Sequence, residues 1–160
     1  KLLNVIDILT KMGDFHSAFM LHSGTKSAWV CRLKHTWAAL PLPEKKLHES
    51  AVEVFLSDNG FKNLREAHRK RIGRRDRTVP YLGVYLTDLT LIEESSTPEE
   101  VAVKRDKVID EIEAAQRLAH YGDLVENSSI QDYFTVVNVS EDDRFLLSLQ
   151  REPRCCRDLP

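Results

Sequence analysis

Apolar residues recur every three or four positions along most of this chain, and that spacing is what most limits its fold. The first segment shows it clearly, because Leu2, Ile6 and Leu9 fall on one face of a helix. Glycine and proline, with 6 residues each, mark the boundaries between such segments. A chain of 160 residues can bury a core between amphipathic helices without disulfides or metals. The pattern therefore predicts a single all-α domain.

Turn and capping residues divide the first half of the chain into five predicted helices. Gly13 ends the first helix, and Asp14 caps a second one that ends near Gly24. Pro41 and Pro43 end the third helix. The predicted helices, with a turn at 57–60 before the last of them, cover about residues 2–12, 15–24, 28–40, 47–56 and 61–72.

Two strongly marked helices are predicted next. The segment from Tyr81 to Glu94 is strongly apolar and, at fourteen residues, is too long for a strand. A capping box at 97–100, with Pro98 at the first helical position, starts a long helix that ends near Gly122.

The C-terminal part of the chain is less regular. Residues 130–137 suit a helix, although 135–137 are also compatible with a strand, and Ser140 caps a last helix. Cys155 and Cys156 lie in a polar tail. Neighbouring cysteines rarely form a structural crosslink, and 3 cysteines are an odd number, so we expect a reducing compartment, the cytoplasm.

The charge of the chain argues against nucleic acid as a partner. There are 23 Lys and Arg against 25 Asp and Glu, and the formal net charge is −2. The densest basic cluster, Arg69 to Arg77, has no interleaved aromatic residues for base stacking. A solvated loop is therefore favoured there over a phosphate-facing or membrane-facing patch. No apolar run is long enough for a transmembrane segment.

Side chains that carry enzyme chemistry are not grouped in this sequence. The 6 histidines lack the i,i+4 pairing or the cysteine neighbours that metal sites use. No glycine-rich phosphate loop is present, and Ser23-Gly24 lacks the frame of a hydrolase elbow. Cys31, next to Trp29 and Val30, is expected to be a small buried hydrophobic residue. We therefore expect no metal, no cofactor and no nucleotide held by the chain itself.

Four stretches of the chain, in this order, are distinctive. They are Asp14 to Gly24 continued by Arg32-Leu33-Lys34-His35-Thr36-Trp37, then Phe61-Lys62-Asn63-Leu64-Arg65-Glu66-Ala67, then Val79 to Glu94, and then Leu147 to Arg154. Together they resemble the catalytic domain of Ras-family guanine-nucleotide exchange factors (RasGEF). The resemblance covers about residues 1–154, the C-terminal two thirds of such a domain, and leaves 155–160 as a tail. The family fold is all-helical, in agreement with the periodicity.

The resemblance implies a catalyst of nucleotide exchange on a Ras-family small GTPase of Ras, Rap or Ral type. In that family a helical hairpin wedges into the nucleotide site of the GTPase. Its first helix matches Tyr81 to Glu94, and its second would begin at Pro98. The catalytic positions implied are Leu86, Thr90 and Glu94, which helical spacing aligns on one face.

Each of these positions has an implied role. The residue at the Thr90 position crowds the Mg²⁺ site of the GTPase, and the acid at the Glu94 position occupies space near the phosphates. Leu86 has packing in the domain core as its alternative role. The residues that the resemblance places against the GTPase are Ser23, Lys26, Ser27, Phe61, Tyr81 and Thr87. For Phe61 and Tyr81, an aromatic anchor and a core residue are both compatible with the sequence.

The sequence also departs from the family pattern. The hairpin connection is short, and the Asn-Phe pair that normally opens the second helix is missing. A second hypothesis therefore stands beside exchange activity, a module that keeps the RasGEF fold and docks a partner without releasing nucleotide. On either hypothesis we expect a cytoplasmic protein, with peripheral recruitment to the inner face of a membrane through other domains.

Overall fold

Helices form nearly all the regular structure in this chain. The computed structural model describes residues 1–136 and 139–153, and the described part contains ten helices and no strand. The helices are α1 (Leu2–Met12), α2 (Phe15–Thr25), α3 (Ala28–Cys31), α4 (Lys34–Ala38), α5 (Leu42–Val54), α6 (Asp58–Arg74), α7 (Leu82–Ser95), α8 (Pro98–Leu118), α9 (Ser128–Val136) and α10 (Glu141–Arg151). The prediction of an all-α fold is confirmed.

Some sequence predictions concern residues outside the described part. The paired cysteines Cys155 and Cys156, the tail at 155–160 and the end of the alternative strand at Val137 lie there. The described residues form two compact units. The first contains 1–22 and 42–121, and the second contains 23–41 and the described residues from 122 onward.

The apolar core of the first unit lies where α1 packs on α5 and α7 packs on α8. Helix α1 buries one face through Leu3 and Ile6, which are three positions apart, whereas Leu2 of the predicted face is 47% exposed. Burying such side chains stabilises the fold by roughly 1.5–3 kcal/mol each. The buried apolar residues are Leu3, Ile6, Phe15, Ala18, Ala51, Phe55, Leu64, Val84, Tyr85 and Ala115.

Gly13 joins the start of the chain to the segment that precedes α7. It closes α1 in the left-handed conformation, with φ of 86°. Its carbonyl accepts a hydrogen bond from the Val79 amide at 2.8 Å, and the Val79 carbonyl accepts one from the Phe15 amide at 2.9 Å. The buried Thr78 hydroxyl also donates to the Gly13 carbonyl, at 3.2 Å. These bonds hold the chain just before α7 against the junction of α1 and α2.

Two predicted caps are present in the structure. The Ser17 amide donates to the Asp14 carboxylate at 2.9 Å, at the start of α2. The Asp143 amide donates to the Ser140 hydroxyl at 3.1 Å, at the start of α10. Local capping signals therefore located both helix starts correctly.

The second unit is held together by long-range polar contacts between α10 and the α3–α4 region. Arg32 donates to the carbonyls of Ser148 and Glu152, both at 2.8 Å. The Glu152 carboxylate accepts from the amides of His35 at 3.2 Å and Thr36 at 2.7 Å. Desolvation raises the pKa of Glu152, but the hydrogen bond from the Thr36 hydroxyl, together with those from the two amides, outweighs it and lowers the pKa. The two ends of this unit are thereby joined across more than a hundred residues of sequence.

Both tryptophans of the chain lie in this second unit. The Arg144 guanidinium lies over the Trp29 ring at 5.7 Å, and the Ser148 hydroxyl donates to the Trp29 carbonyl. The Trp37 indole donates to the Val30 carbonyl at 3.0 Å. The indole rings are therefore held by local contacts of this unit.

The single helix predicted over about 28–40 is wrong. The structure has two short helices there, α3 and α4, separated at Leu33, where ψ is 63°. The break has a physical cause, because it creates a new helix N-terminus whose free amides the Glu152 carboxylate binds.

Burial predictions in the same region were also wrong. Cys31 is exposed, and its thiol contacts the Thr25 carbonyl at 3.6 Å. Leu33 and Trp37, which were expected to be buried, are half-buried. Helices α3 and α4 have only four and five residues, so each contributes few side chains that could cover its neighbour.

Proline and glycine do not mark every boundary as predicted. Pro43 lies in the first turn of α5, where its missing amide hydrogen is tolerated, and so it does not end a helix. Gly24, Gly73 and Gly83 lie within helices α2, α6 and α7.

Two glycine substitutions provide a matched test of the junction. Gly13→Ala should lower the free energy of unfolding by about 1–3 kcal/mol or more, because φ is positive and a Cβ would lie 2.4 Å from the Arg77 carbonyl oxygen. Gly73→Ala should be neutral or stabilising by up to about 1 kcal/mol, since the site is helical and open. Denaturant unfolding followed by circular dichroism measures both. Equal effects of the two substitutions would contradict the role given to Gly13.

Candidate functional site

The α7–α8 hairpin is the element on which the sequence places the catalytic residues. Helices α7 and α8 pack against each other and are joined by only two residues, Ser96 and Thr97. The predicted start of α8 is confirmed, with Pro98 in the first turn. The Thr97 side chain makes no capping hydrogen bond, and instead its carbonyl accepts from the Glu100 amide at 3.0 Å.

The exposed face of α7 brings together the three predicted catalytic residues. Leu86 is 63% exposed, and Thr90 and Glu94 are also exposed. Thr87 is exposed beside them, and its hydroxyl donates to the Gly83 carbonyl at 2.9 Å. The exposure of Leu86 is incompatible with the alternative of a core residue within the described part of the chain.

The opposite face of α7 attaches the helix to the first unit. Tyr85 is buried, and Leu89 and Ile92 are half-buried, as the spacing predicts. Leu82 is 44% exposed and does not share in this packing. The buried face leaves the face with Glu94 open to solvent.

Phe61 and Tyr81 meet in an aromatic cluster of the first unit. Phe19 lies at its centre, stacked on the Tyr81 ring at 3.9 Å and 5.7 Å from the Phe61 ring. The Phe61 and Tyr81 rings are 6.1 Å apart, and both residues are half-buried. Sequence reasoning had not singled out Phe19. Each of the two predicted partner-binding residues therefore packs on Phe19 and is still partly exposed.

The Tyr81 ring also depends on a glycine. A Cβ added at Gly83 would lie 2.5 Å from the Tyr81 ring. The ring therefore lies directly over the first turn of α7, and a larger residue at Gly83 would displace it.

The turn before the regular part of α6 is unusual. Asn59, Gly60 and Phe61 are all left-handed, with φ between 52° and 64°. Left-handed conformations are costly for a bulky residue such as Phe61, so surrounding contacts must hold it there. The predicted turn at 57–60 is confirmed.

The remaining predicted partner-binding residues lie in the second unit. Ser23 and Lys26 are exposed, and Ser27 is half-buried at the start of α3. The Ser27 hydroxyl donates to the Gly24 carbonyl at 2.8 Å. The structure thus groups Leu86, Thr87, Thr90 and Glu94 on α7, and Ser23, Lys26 and Ser27 in one turn of the other unit.

A polar network that the sequence analysis missed connects α6, α7 and α8. The Tyr85 hydroxyl shares a 2.8 Å hydrogen bond with His68 Nδ1 and lies 3.3 Å from the Glu111 carboxylate. Arg65 makes a two-point ion pair with Asp88, at 2.5 and 2.7 Å. The signal in the sequence was the spacing of Arg65 and His68 on α6, matched by that of Tyr85 and Asp88 on α7.

Burial shifts the ionisation of this network. Burial lowers the pKa of His68 to about 4, more than the nearby Glu111 carboxylate raises it, and Arg69 lowers it further. Burial also raises the pKa of Tyr85, with a further contribution from Glu111. The hydrogen bonds to Asp88 raise the pKa of Arg65. At neutral pH the His68–Tyr85 pair is therefore uncharged, and Arg65 is fully charged.

The basic stretch is helical and partly neutralised, which corrects the prediction of a loop from Arg69. Helix α6 continues to Arg74. Arg69 pairs with Glu111 at 3.4 Å, and Lys70 pairs with Glu66 at 2.9 Å.

Residues 1–136 and 139–153 contain no group of three or more His, Cys, Asp or Glu arranged to hold a metal ion. Among the helices described here, none has both the length and the apolar character needed to cross a membrane.

A family model described as the RasGEF domain matches residues 1–115. This match spans more than half of the chain and includes α1 to α7 and most of α8. The chain belongs to the RasGEF domain family. The resemblance stated from the sequence motifs is confirmed, and the matched region includes α7 and the part of α8 up to residue 115.

Individual relatives extend the similarity beyond residue 115. The Ras guanine nucleotide exchange factor P of Dictyostelium discoideum is 31% identical over 96% of this chain. The Ras-specific guanine nucleotide-releasing factor 2 of Mus musculus is 33% identical over 94% of it, and factor 1 of the same species is 36% identical over 58%. The matched part of this chain spans only 10%, 13% and 7% of the length of these relatives.

The low pKa of His68 predicts a pH dependence of stability. Between about pH 6.5 and about pH 4 an unfolded histidine binds a proton while folded His68 does not, so the free energy of unfolding falls as the pH falls through this window. His68→Gln removes the titrating group. The loss of stability between pH 7 and pH 4 should then be smaller by an amount on the order of 2 kcal/mol. Denaturant unfolding at a series of pH values measures it.

The exposed His120 provides the control for this measurement. His120→Gln removes a histidine that is not buried, and it should lose as much stability as the parent protein between pH 7 and pH 4. If His68→Gln and the parent lose stability in parallel down to pH 4, His68 is not held neutral in the fold.

Proposed function

We propose that this chain promotes release of guanine nucleotide from a Ras-family small GTPase by inserting the α7–α8 hairpin into the nucleotide site. The observation that supports this most directly is the exposed face of α7, where Leu86, Thr90 and Glu94 lie together on a helix whose other face is packed. Membership of the RasGEF domain family supports the same activity.

The proposed mechanism needs no covalent chemistry. Thr90 and Glu94 are four residues apart, so their positions differ by about 6 Å along the helix axis. That separation suits one side chain approaching the Mg²⁺ position and the other approaching the phosphates of one nucleotide. A carboxylate near the phosphates competes for the same hydrogen-bond donors and lowers the affinity for nucleotide. A new nucleotide then binds by mass action.

The charge at the end of α7 supports the role of Glu94. The last turn of α7 has no basic residue, and the exposed Glu93 and Glu94 face the negative end of the helix dipole. Two carboxylates placed there are electrostatically unfavourable in the free protein. Donors supplied by a GTPase would relieve this repulsion, which favours binding through this end of the hairpin.

The substrate class comes from the family. Relatives named for Ras exchange support a Ras-family GTPase, and a Ras, Rap or Ral type is proposed for this chain. The proposal places the protein in the cytoplasm, with recruitment to the inner face of a membrane through other parts of the full-length protein.

One observation favours a second function. Only Ser96 and Thr97 connect α7 to α8. Such a short connection restricts how far the tip of the hairpin can reach beyond the ends of the two helices. A module that docks a GTPase without releasing its nucleotide would tolerate such a hairpin. Measured binding without accelerated release would favour this function over exchange.

Glu94→Ala tests the wedge. It should slow nucleotide release by roughly tenfold or more, because one charge-assisted interaction typically contributes about 1.5–3 kcal/mol. The free energy of unfolding should change by less than about 0.5 kcal/mol, since Glu94 is exposed. Release of a fluorescent GDP analogue from purified Ras-, Rap- and Ral-type GTPases measures the rate, with the intact protein at equal folded concentration.

Glu93→Ala is the matched control, since Glu93 is equally exposed and points about 100° around the helix from Glu94. It should retain most of the parent rate. Equal rates for the two variants would argue against a specific role of Glu94. If the parent accelerates release on no GTPase of the panel, exchange is rejected.

Phe61→Ala tests the aromatic anchor. The accessible side of Phe61 should contribute roughly 1–2 kcal/mol to binding of the GTPase, so the dissociation constant should rise by about tenfold. Because Phe61 also packs on Phe19, some loss of stability is expected, and binding is therefore compared per folded molecule by titration calorimetry. Unchanged affinity of the folded fraction would assign Phe61 to the core alone.

A further inference from the structure

We propose that Arg65 is a positioning residue that fixes the wedge helix α7 relative to the turn that carries Phe61. This inference rests on the proposed exchange function and deepens it. Arg65 lies on neither of the surfaces predicted to contact the GTPase, and the sequence analysis gave it no role.

The Arg65 guanidinium binds two elements at once. Its two terminal nitrogens donate to the two carboxylate oxygens of Asp88 on α7, at 2.5 and 2.7 Å. Its Nε donates to the Gly60 carbonyl at 2.6 Å. The side chains of Arg65 and Asp88 are 24% and 26% exposed, so the pair is largely shielded from water. The rigid fork of arginine makes this geometry possible, and lysine has no equivalent of it.

Both partners of Arg65 lie next to residues proposed to contact the GTPase. Asp88 directly follows Thr87 and precedes Thr90 by two residues. Gly60 directly precedes Phe61, whose backbone is held in the left-handed conformation. The Arg65 side chain therefore connects α7 to the turn that carries Phe61, and both of these lie in the first unit.

A second contact between α6 and α7 explains why the Arg65–Asp88 pair can fix the orientation of α7. Tyr85, which lies three residues before Asp88 and about 4.5 Å away along the helix, is hydrogen-bonded to His68 on α6. With one contact point, α7 could rotate about it. Two contact points on the same helix pair restrict both the rotation and the tilt of α7, and so the direction in which Thr90 and Glu94 point.

Positioning of this kind acts on the rate more than on affinity. A wedge that is displaced by about 1 Å still meets the GTPase but places its side chains wrongly, and such displacements can lower rates by up to roughly a hundredfold. Loss of Arg65 should therefore reduce kcat while KM changes little, which is the signature of an interaction used in the transition state.

The experiment measures exchange by the intact protein on the GTPase of the panel with the fastest parent rate, over a range of GTPase concentrations. Arg65→Gln and Asp88→Asn should each lower kcat by about tenfold, with KM within about twofold of the parent. The double variant should be no slower than either single variant, because both changes remove the same contact. Arg65→Lys should also be slow, since it keeps the charge and loses the fork.

Controls separate positioning from stability. Lys11→Gln removes the exposed ion pair of Lys11 and Asp7 within α1, outside the hairpin, and should retain the parent kcat. The melting temperature of each variant shows whether it is folded. If Arg65→Gln does not fold, Arg65→Lys and Asp88→Asn are used in its place. Parent kcat in folded Arg65 variants, or independent losses that multiply in the double variant, would overturn the proposal. An inactive parent protein would instead reject the exchange function itself.

Discussion

The hydrogen bonds between Gly13 and the segment at 78–79 are the contact on which the candidate site depends. They join residues that are 65 or more positions apart and place the beginning of α7 at the junction of α1 and α2. The aromatic stack of Phe19 on Tyr81 lies beside this junction. The start of α7 is therefore placed by this junction, where the backbone leaves no room for a side chain at Gly13.

The two faces of α7 have different roles in the hairpin. The apolar face of α7 attaches the helix through Tyr85 and its neighbours, and polar contacts to α6 define its orientation. The exposed face is free of core packing, so its residues can be selected for contact with a partner. The acidic end of α7 adds electrostatic character to this surface without any metal or cofactor.

How much could be predicted from sequence depended on the range of the interactions. Helix boundaries at Gly13, Pro98 and Ser140 were predicted because the determining residues are local. The exposed alignment of Thr90 and Glu94 followed from helical periodicity, whereas their catalytic role stays a prediction from the family motifs. Local rules were sufficient for these features.

Features that depend on distant residues could not be predicted in the same way. The break between α3 and α4 involves Glu152, which lies 116 positions after Thr36. The Arg65–Asp88 pair joins residues 23 positions apart on two helices whose packing no periodicity specifies. Tertiary contacts, and not propensities, determine these parts of the molecule.

The location of both tryptophans has a practical consequence. Since Trp29 and Trp37 lie in the second unit, intrinsic indole fluorescence reports on that unit alone. The far-ultraviolet dichroism, in contrast, is dominated by the long helices α6, α7 and α8 of the first unit. One denaturation experiment recorded with both signals thus follows the two units separately. Coincident transitions identify a single cooperative structure, and separated transitions assign each unit its own stability.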